Sequence, residues 1–294
     1  MQLCLPARPP FSLPPVIRSH GWVQLVPFAT ADPYHEFTYV DRLETGRVAS
    51  WHVQARDGGV LVTVDGELSP EEQRETEAKA TWMLALDKDL APFYAIARAE
   101  PKLAPVVERG AGRILRSPTL FEDTVKTILT TNTAWSGTKR MVRALVDLYG
   151  EPAPGNNGQR AFPTPERLAE AHVDALRQEA RLGYRAPYVH ELAGHVARGE
   201  LDLEALKTSS LPTLELRKQL LAIKGIGAYA AANLLMLLGR TDYIPIDSWA
   251  LKMVSNEFHG GAPIGPEDVE EAFAVWGPWK GMAYWFWDWS DGTS

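Results

Sequence analysis

The sequence predicts an α+β protein in which an antiparallel β-rich domain, residues 1–115, is followed by an all-helical domain, residues 116–294. Two patterns support this: short β-branched and aromatic runs fill the first third, and apolar residues recur at helical spacing in the remainder. A length of 294 residues, with 45% hydrophobic and 23% charged residues, suits about two globular domains and excludes a disordered or collagen-like chain.

The strand-forming residues lie between positions 16 and 66. Runs rich in Val, Tyr and Trp are separated by turn signals at Asp57-Gly58-Gly59 and Asp65-Gly66, a composition typical of short strands joined by hairpins. Strands are therefore predicted over residues 16–28, 35–43, 48–56 and 59–66.

Helical signals begin at Ser69, a predicted N-cap followed by Pro70 and two acidic residues, which are the residue types favoured in a first helical turn. A polar helix is predicted over residues 69–80, with a further apolar stretch over 81–86. Apolar residues with a 3.6-residue period predict further helices, over residues 90–99, 120–129, 141–150, 165–180, 188–199, 214–223, 228–239, 248–258 and 266–276.

The charge distribution is uneven. The net charge of −7 argues mildly against a partner as acidic as nucleic acid. Residues 113–145 nevertheless hold two acidic residues against six basic ones, which are Arg113, Arg116, Lys126, Lys139, Arg140 and Arg143. This local excess leaves room for a basic surface on the helical domain.

Cys4 is the only cysteine, which excludes a disulfide framework, a Cys-ligated zinc and a four-cysteine iron–sulfur cluster. His190 and His195 are five positions apart, a spacing that does not place two ligands on one helix face. No metal or other cofactor is therefore predicted. No apolar run reaches about 18 residues, so neither a membrane span nor a signal segment is predicted, and we expect a cytoplasmic protein.

The most informative segment contains Lys224-Gly225-Ile226-Gly227 between two apolar helices. Glycines at these positions leave the first amides of the following helix uncovered, and such amides can hold a phosphate without side-chain charge. DNA could thereby be bound without reading its sequence. The alternative is a plain corner between two helices that uses glycine for a tight turn.

Asp247 follows Ile244-Pro245-Ile246 and precedes a helical pattern, which predicts that it caps the next helix. A carboxylate at a helix N-terminus is stabilised in its ionised form, so it could stabilise a developing cation in a largely apolar pocket. Both interpretations, a structural cap and a catalytic group, use the same geometry.

The segments IKGIGAYAA from Ile223 and IPIDSWALK from Ile244 together resemble the helix–hairpin–helix and catalytic Asp of the HhH-GPD superfamily of DNA glycosylases. The resemblance extends to SPTLFEDTVKTILTTNTAW, residues 117–135, and to WGPWKGMAYW, residues 276–285. It implies a helical glycosylase domain after a TBP-like antiparallel domain, with Asp247 as the catalytic residue. It also implies Lys224, Gly225 and Gly227 as DNA contacts.

The resemblance favours the bacterial alkylpurine branch, 3-methyladenine DNA glycosylase II, because Pro278-Trp279-Lys280 is similar to that branch's Pro-Trp-Arg. Tyr229 stands where bifunctional relatives carry a Schiff-base lysine, so a monofunctional enzyme that leaves an abasic site is implied. The Gln and Phe of the 8-oxoguanine branch fall at Tyr284 and Asp288, which disfavours that base as the substrate.

The resemblance also implies site residues. Asn132 falls at the family's polar wedge position, although it could instead be a helix C-cap. Trp135, Lys139 and Arg140 are expected to contact DNA.

Six of the ten tryptophans lie late in the chain, at Trp249, Trp276, Trp279, Trp285, Trp287 and Trp289. Most are expected in the core, and the base pocket is predicted to contain Tyr229, Trp279 and Tyr284, whose aromatic faces suit positively charged purines.

Two alternatives stay open at this point. One is a glycosylase for uracil, hypoxanthine or oxidised bases on the same scaffold, and the other is a non-catalytic DNA-structure-binding protein in which Asp247 is only a cap. The expected partner in each case is double-stranded DNA, with a damaged base for the enzymes. We expect a monomer in the cytoplasm of a bacterial-type cell, associated with the nucleoid and not with a membrane.

Overall fold

A computed structural model describes residues 1–30, 34–155 and 158–287. Its four-stranded sheet contains β1 (Gln2–Pro6), β2 (Glu36–Arg42), β3 (Val48–Arg56) and β4 (Gly59–Val64). The strands are all antiparallel to their neighbours and lie in the order β1, β4, β3, β2. Together with the helices that follow, this sheet confirms the predicted α+β class.

The strand predicted over residues 16–28 is wrong. This segment contains the end of helix α1 (Leu13–Ile17) and a 3-10 turn over Gly21–Gln24. Helix α1 can begin here because a proline in the first turn, Pro14, loses no helical hydrogen bond and already has the helical φ angle. Strand β1 was missed, since the N-terminal prolines obscured the pattern. An edge strand tolerates proline, and Pro6 ends β1 opposite Gly59.

Most of the remaining helices follow the predicted apolar spacing. The helix over residues 104–108 was not predicted, and the helix predicted over residues 141–150 begins earlier, at Trp135. Two other ranges also differ. Helix α2 (Pro70–Leu84) joins the predicted polar helix to the apolar stretch after it. The helix predicted over residues 165–180 is instead α7 (Pro165–Ala169) and α8 (Val173–Gln178), separated at His172, whose backbone is extended. The other helices are α3 (Ala91–Ala97), α4 (Ala104–Glu108), α5 (Leu120–Thr130), α6 (Trp135–Tyr149), α9 (Ala186–Ala197), α10 (Thr213–Leu221), α11 (Ala228–Leu237), α12 (Ser248–Phe258), α13 (Pro266–Ala274) and α14 (Lys280–Phe286). Across the described ranges, no helix has both the length and the apolar character that a bilayer crossing requires.

A continuous apolar core joins the sheet to the helices, from Leu3 in β1 to Trp287 after α14. Helix α5 is the most enclosed element, since residues 120–129 are all buried. Packing on every side of α5 fixes the start of the loop that follows it, and that loop carries predicted DNA-binding residues.

Buried polar groups tie α5 to the N-terminal segment. Lys126 Nζ donates hydrogen bonds to Glu122 Oε1 at 2.6 Å and to Ser117 Oγ at 3.3 Å, and Tyr39 donates its hydroxyl proton to Glu122 Oε2 at 2.6 Å. Trp22 Nε1 donates to Asp123 Oδ1 at 2.7 Å, and burial raises the pKa of Asp123 to about 6. These bonds give partners to most of the buried polar atoms here, although Asp123 Oδ2 has none among the described residues.

Burial of three cations limits the basic surface for which the charge count over residues 113–145 left room. Arg113, Arg116 and Lys126 are buried, and Arg113 donates hydrogen bonds to main-chain carbonyls of residues 8, 10, 85 and 88. The other three basic residues of that segment, all on α6, are exposed. A count of charges along the chain does not distinguish cations that face solvent from cations that hold the interior together.

Candidate active site

A cleft of about 610 Å³ opens between the N-terminal segment and the helical part. Aromatic side chains form much of its wall, and hydroxyl and amide side chains lie among them. Its lining includes Ile17, His20 and Trp22 from the N-terminal segment, Thr127 and Thr130 from α5, Trp135 from α6, Tyr229 and Asn233 from α11, and Trp285 from α14. The lining combines aromatic and polar side chains, and the volume lies in the range of small-molecule pockets.

The three residues predicted for the base pocket occupy different places. Tyr229 lines the cleft and is 54% exposed. Tyr284 is buried with its ring 5.6 Å from that of Trp249 and 5.7 Å from that of Phe273. Trp279 packs its ring 5.8 Å from that of Phe93. Only Tyr229 of the three is therefore in the cleft wall.

The tryptophans in the cleft wall are Trp22, Trp135 and Trp285. Sequence analysis assigned Trp22 to a strand and did not select Trp285 from the late cluster. No local signal distinguishes Trp285 from its neighbours, because the side of α14 that faces the cleft depends on how the helix packs. Two residues considered above, Asp288 and Trp289, lie outside the described residues.

Asp247 caps helix α12, as predicted. Its Oδ1 accepts hydrogen bonds from the amides of Trp249 at 3.0 Å and Ala250 at 2.8 Å. Oδ2 accepts none from the described residues, so one carboxylate oxygen stays available to a further partner.

Asp247 is not among the residues that line the cleft, but its charge acts on a residue of helix α14. Burial, with a further contribution from the charge of Asp247, raises the pKa of the Tyr284 hydroxyl. The next residue, Trp285, lines the cleft. The carboxylate is thus adjacent to the helix that forms one aromatic wall.

The glycine hairpin leaves helix α11 open at its N-terminus. Gly227 is the N-cap, the first turn has no acidic residue, and no side chain caps it. No atom lies within 4 Å of the position that a Cβ on Gly227 would occupy. The first amides of α11 therefore have neither an intrahelical acceptor nor a covering side chain, which is the arrangement that binds a phosphate.

Lys224 is exposed, and its Nζ lies 2.7 Å from Glu191 Oε2. This hydrogen bond raises the pKa of Lys224. The lysine therefore stays charged beside the hairpin, where it could exchange Glu191 for a phosphate.

The two hairpin glycines are expected to respond differently to substitution. Gly225 has φ +90° and a Cβ there would lie 2.8 Å from the Tyr188 ring, so Gly225→Ala is expected to lower the free energy of unfolding by about 1–2 kcal/mol. Gly227 has φ −92°, so Gly227→Ala should leave stability nearly unchanged. Its methyl group should instead obstruct the open amides and weaken DNA binding severalfold. Urea unfolding and fluorescence anisotropy with a labelled duplex would measure the two effects, and equal stability losses would contradict this assignment.

The loop between α5 and α6 presents Asn132. This residue is exposed with φ +46°, and its Nδ2 donates a hydrogen bond to the Tyr184 hydroxyl at 3.2 Å. Buried Arg185 donates hydrogen bonds to the carbonyls of Thr131 and Asn132. Arg185 therefore supports the loop from its buried side, while the Asn132 side chain is exposed. The sequence did not predict this support by Arg185.

The predicted DNA contacts on α6 differ in exposure. Trp135 is half-buried in the cleft wall, and its Nε1 donates a hydrogen bond to Gln24 Oε1 at 3.0 Å. Lys139 and Arg140 are exposed, with Lys139 Nζ 3.4 Å from the same Gln24 oxygen. The two cations are accessible to a phosphate backbone, whereas Trp135 contributes to the cleft.

Comparison with known proteins identifies the family of this fold. Residues 125–278, just over half of the chain, match the family described as HhH-GPD superfamily base excision DNA repair protein. The chain belongs to this family. The matched residues contain Asn132, the glycine hairpin and Asp247, so the HhH-GPD resemblance drawn from those motifs is confirmed.

Several relatives of this HhH-GPD protein are informative. A DNA-3-methyladenine glycosylase from Bacillus subtilis is 29% identical over 153 residues. The match covers 51% of this chain and 50% of that relative, so it spans only about half of the relative's length. The 3-methyladenine DNA glycosylase from Archaeoglobus fulgidus is 21% identical with a TM-score of 0.76, and the match covers 100% of this chain and 99% of that one. The 8-oxoguanine glycosylase/lyase from Clostridium acetobutylicum, solved with double-stranded DNA containing cytosine opposite 8-oxoguanine, is 18% identical with a TM-score of 0.68, covering 92% and 91%. These structural matches show that the HhH-GPD fold is shared.

Proposed function

We propose that this protein is a DNA glycosylase of base excision repair that extrudes alkylated purines of the 3-methyladenine type from double-stranded DNA and removes them by hydrolysis. The observation that carries the proposal is the Asp247 carboxylate, which caps α12 and has one oxygen without a partner among the described residues. The family membership and the 3-methyladenine glycosylase name of the Bacillus subtilis relative support it.

The cleft suits a cationic base. Trp22, Tyr229 and Trp285 offer aromatic faces, which attract a positively charged purine by stacking and cation–π interaction worth about 0.5–2 kcal/mol for each good contact. The described lining contains no carboxylate but does contain Arg18, so recognition of a cationic base would depend on the aromatic faces and the neutral polar groups.

Asp247 would act on the sugar. As the bond between C1′ and the base nitrogen breaks, its electron pair leaves with the alkylated base, which becomes neutral, and positive charge develops on the sugar. The Asp247 carboxylate would stabilise that charge more strongly in the transition state than in the bound substrate. A water molecule would then add its oxygen to C1′ and lose a proton to Asp247 or to solvent, leaving an abasic site.

DNA would be held on both sides of the cleft. The open amides of α11 and Lys224 would contact one stretch of phosphates, and Lys139 and Arg140 on α6 would contact another. Asn132 would fill the space that the extruded base leaves in the duplex. This arrangement accounts for DNA binding by a chain whose net charge is −7.

The reaction is proposed to be monofunctional. Tyr229 occupies the position of the family's Schiff-base lysine, and a phenol cannot form an imine with the sugar aldehyde. Strand breaks in a duplex with one alkylated base are therefore expected only after alkali treatment, and borohydride should trap no protein–DNA adduct. A trapped adduct, or strand breaks without alkali, would refute the monofunctional assignment while leaving base release intact.

The function itself is tested by single-turnover release from duplexes that each carry one lesion: 3-methyladenine, 1-methyladenine, hypoxanthine, uracil or 8-oxoguanine. The proposal requires release of the methylated adenines to be the fastest. Faster release of uracil, hypoxanthine or 8-oxoguanine would favour a different substrate on the same scaffold. Binding without release of any base would favour a DNA-structure-binding protein.

Three further assignments complete the proposal. Residues 1–115 would form a TBP-like domain around the four-stranded sheet, and residues 116–294 would form the glycosylase domain. The protein would act as a monomer, since one chain supplies the cleft, the hairpin and the wedge residue. Its DNA substrate would place it with the nucleoid in the cytoplasm of a bacterial-type cell.

A further inference from the structure

His20 lies at the inner end of the cleft, at a position that neither the mechanism nor the family motifs use. It lines the cleft and also a recess of about 20 Å³ behind it. Trp22, Asn233 and Trp285 belong to both linings. A base that enters between the aromatic walls would therefore bring one edge towards the His20 ring.

The hydrogen bonds of His20 fix which ring nitrogen carries the proton. Nε2 lies 2.6 Å from the main-chain oxygen of Leu115, and because a carbonyl oxygen only accepts, Nε2 must donate. A neutral ring then has a lone pair on Nδ1. Nδ1 has no hydrogen-bond partner among the described residues. It also does not belong to the unpartnered polar atoms of those residues that are fully buried. This lone pair is thus accessible to solvent, and the ring that carries it lines the cleft.

The surroundings keep the ring rigid and uncharged. Its centroid is 4.6 Å from that of Trp22, and Trp22 is itself anchored by its hydrogen bond to Asp123. Burial, with a smaller contribution from the charge of Lys126, lowers the pKa of His20 to about 4. A neutral imidazole does not repel a cationic base, whereas a protonated one would.

Neighbouring polar groups point to the same preference. The hydroxyls of Thr127 and Thr130 donate to main-chain oxygens, each at 2.7 Å. Asn233 Nδ2 donates to the Tyr229 carbonyl at 2.9 Å, so its Oδ1 is left as an acceptor. These side chains of the cleft lining therefore offer hydrogen-bond acceptors to a base whose edge carries N–H donors.

We propose that His20 Nδ1 accepts a hydrogen bond from the exocyclic amino group of the extruded base and thereby selects alkylated adenines over bases with a carbonyl at that place. If the base instead placed a carbonyl oxygen against Nδ1, two hydrogen-bond acceptors would face each other and neither would have a donor. A site that is built to accept a hydrogen bond strongly rejects a base that cannot donate one. The inference rests on the proposed function and adds a residue that determines which purine is released.

The test compares release of 1-methyladenine, which presents an amino group at C6, with release of hypoxanthine, which presents a carbonyl there. His20→Phe keeps an aromatic ring against Trp22 but removes Nδ1, and it is expected to slow 1-methyladenine release about tenfold while hypoxanthine release is unchanged or faster. His172→Phe, at an exposed histidine between α7 and α8, serves as the matched control and should leave both rates unchanged. Equal slowing of both lesions by His20→Phe, or no effect on either, would overturn the inference.

A spectroscopic measurement separates this inference from the proposed function. In the wild-type protein labelled with ¹⁵N at histidine, free 3-methyladenine should shift the His20 Nδ1 resonance, and free hypoxanthine should not. Equal shifts with both bases, or no shift with 3-methyladenine, would overturn the role of His20. A selective shift in a protein that releases no base from DNA would support the acceptor role and refute the glycosylase proposal.

Discussion

Asp247→Asn is expected to slow release of an alkylated purine by about 100-fold to 1000-fold, the range found when one electrostatic group that stabilises a transition state is removed. Asn is as good an N-cap as Asp, so the amides of Trp249 and Ala250 keep their acceptor. The variant therefore removes the negative charge while preserving the start of α12. Its unfolding midpoint and its affinity for duplex DNA should stay close to those of the wild type.

Asp202→Asn is a matched control for this change. Asp202 is exposed and its Oδ1 accepts a hydrogen bond from the Ala205 amide at 3.0 Å, so the variant removes one negative charge from a similar cap at a place with no proposed role in the reaction. Single-turnover release should be unchanged in Asp202→Asn. Wild-type rates in Asp247→Asn would mean that Asp247 is only a cap, as in the non-catalytic alternative.

The parts of the site that the sequence predicted are those whose geometry is set by neighbours in the chain. Gly225 and Gly227 form the hairpin because two apolar helices must turn there, and Asp247 caps α12 because its side chain reaches amides two and three residues later. Such contacts depend on local spacing alone. Periodicity likewise predicted α12 over residues 248–258, with the bounds that the structure shows.

The parts that escaped prediction depend on contacts between distant segments. Arg185 supports Asn132 across 53 positions, and His20 contacts the Leu115 carbonyl across 95. Spacing along the chain carries no information about either contact. Only Tyr229 of the predicted pocket residues lines the cleft, because the register of α14 against the rest of the protein, and not its composition, determines that Trp285 faces the cleft while Tyr284 faces the core.

The buried position of Lys126 likewise could not be predicted from the charges along the chain. Substitution of this lysine is expected to have the largest effect on stability. Its side chain is 0% exposed and pairs with Glu122, which is also bound by the Tyr39 hydroxyl. Lys126→Met keeps most of the aliphatic stem but leaves a buried carboxylate without its cation, which typically costs about 3–5 kcal/mol. Urea unfolding at neutral pH should show this loss as a lower midpoint with a similar slope.

Two further variants determine whether the unpaired charge is the cause. Lys218→Met breaks an exposed ion pair, also at helical spacing, in which Nζ lies 2.7 Å from Glu215 Oε1, and it should change stability little because solvent screens such pairs. Adding Glu122→Gln to Lys126→Met removes the unpaired charge while keeping an acceptor for Tyr39, so the double variant should be more stable than additivity predicts by about 0.5–3 kcal/mol. Strict additivity, or a Lys126→Met loss no greater than that of Lys218→Met, would mean that the unpaired Glu122 carboxylate is not the cause of the stability loss.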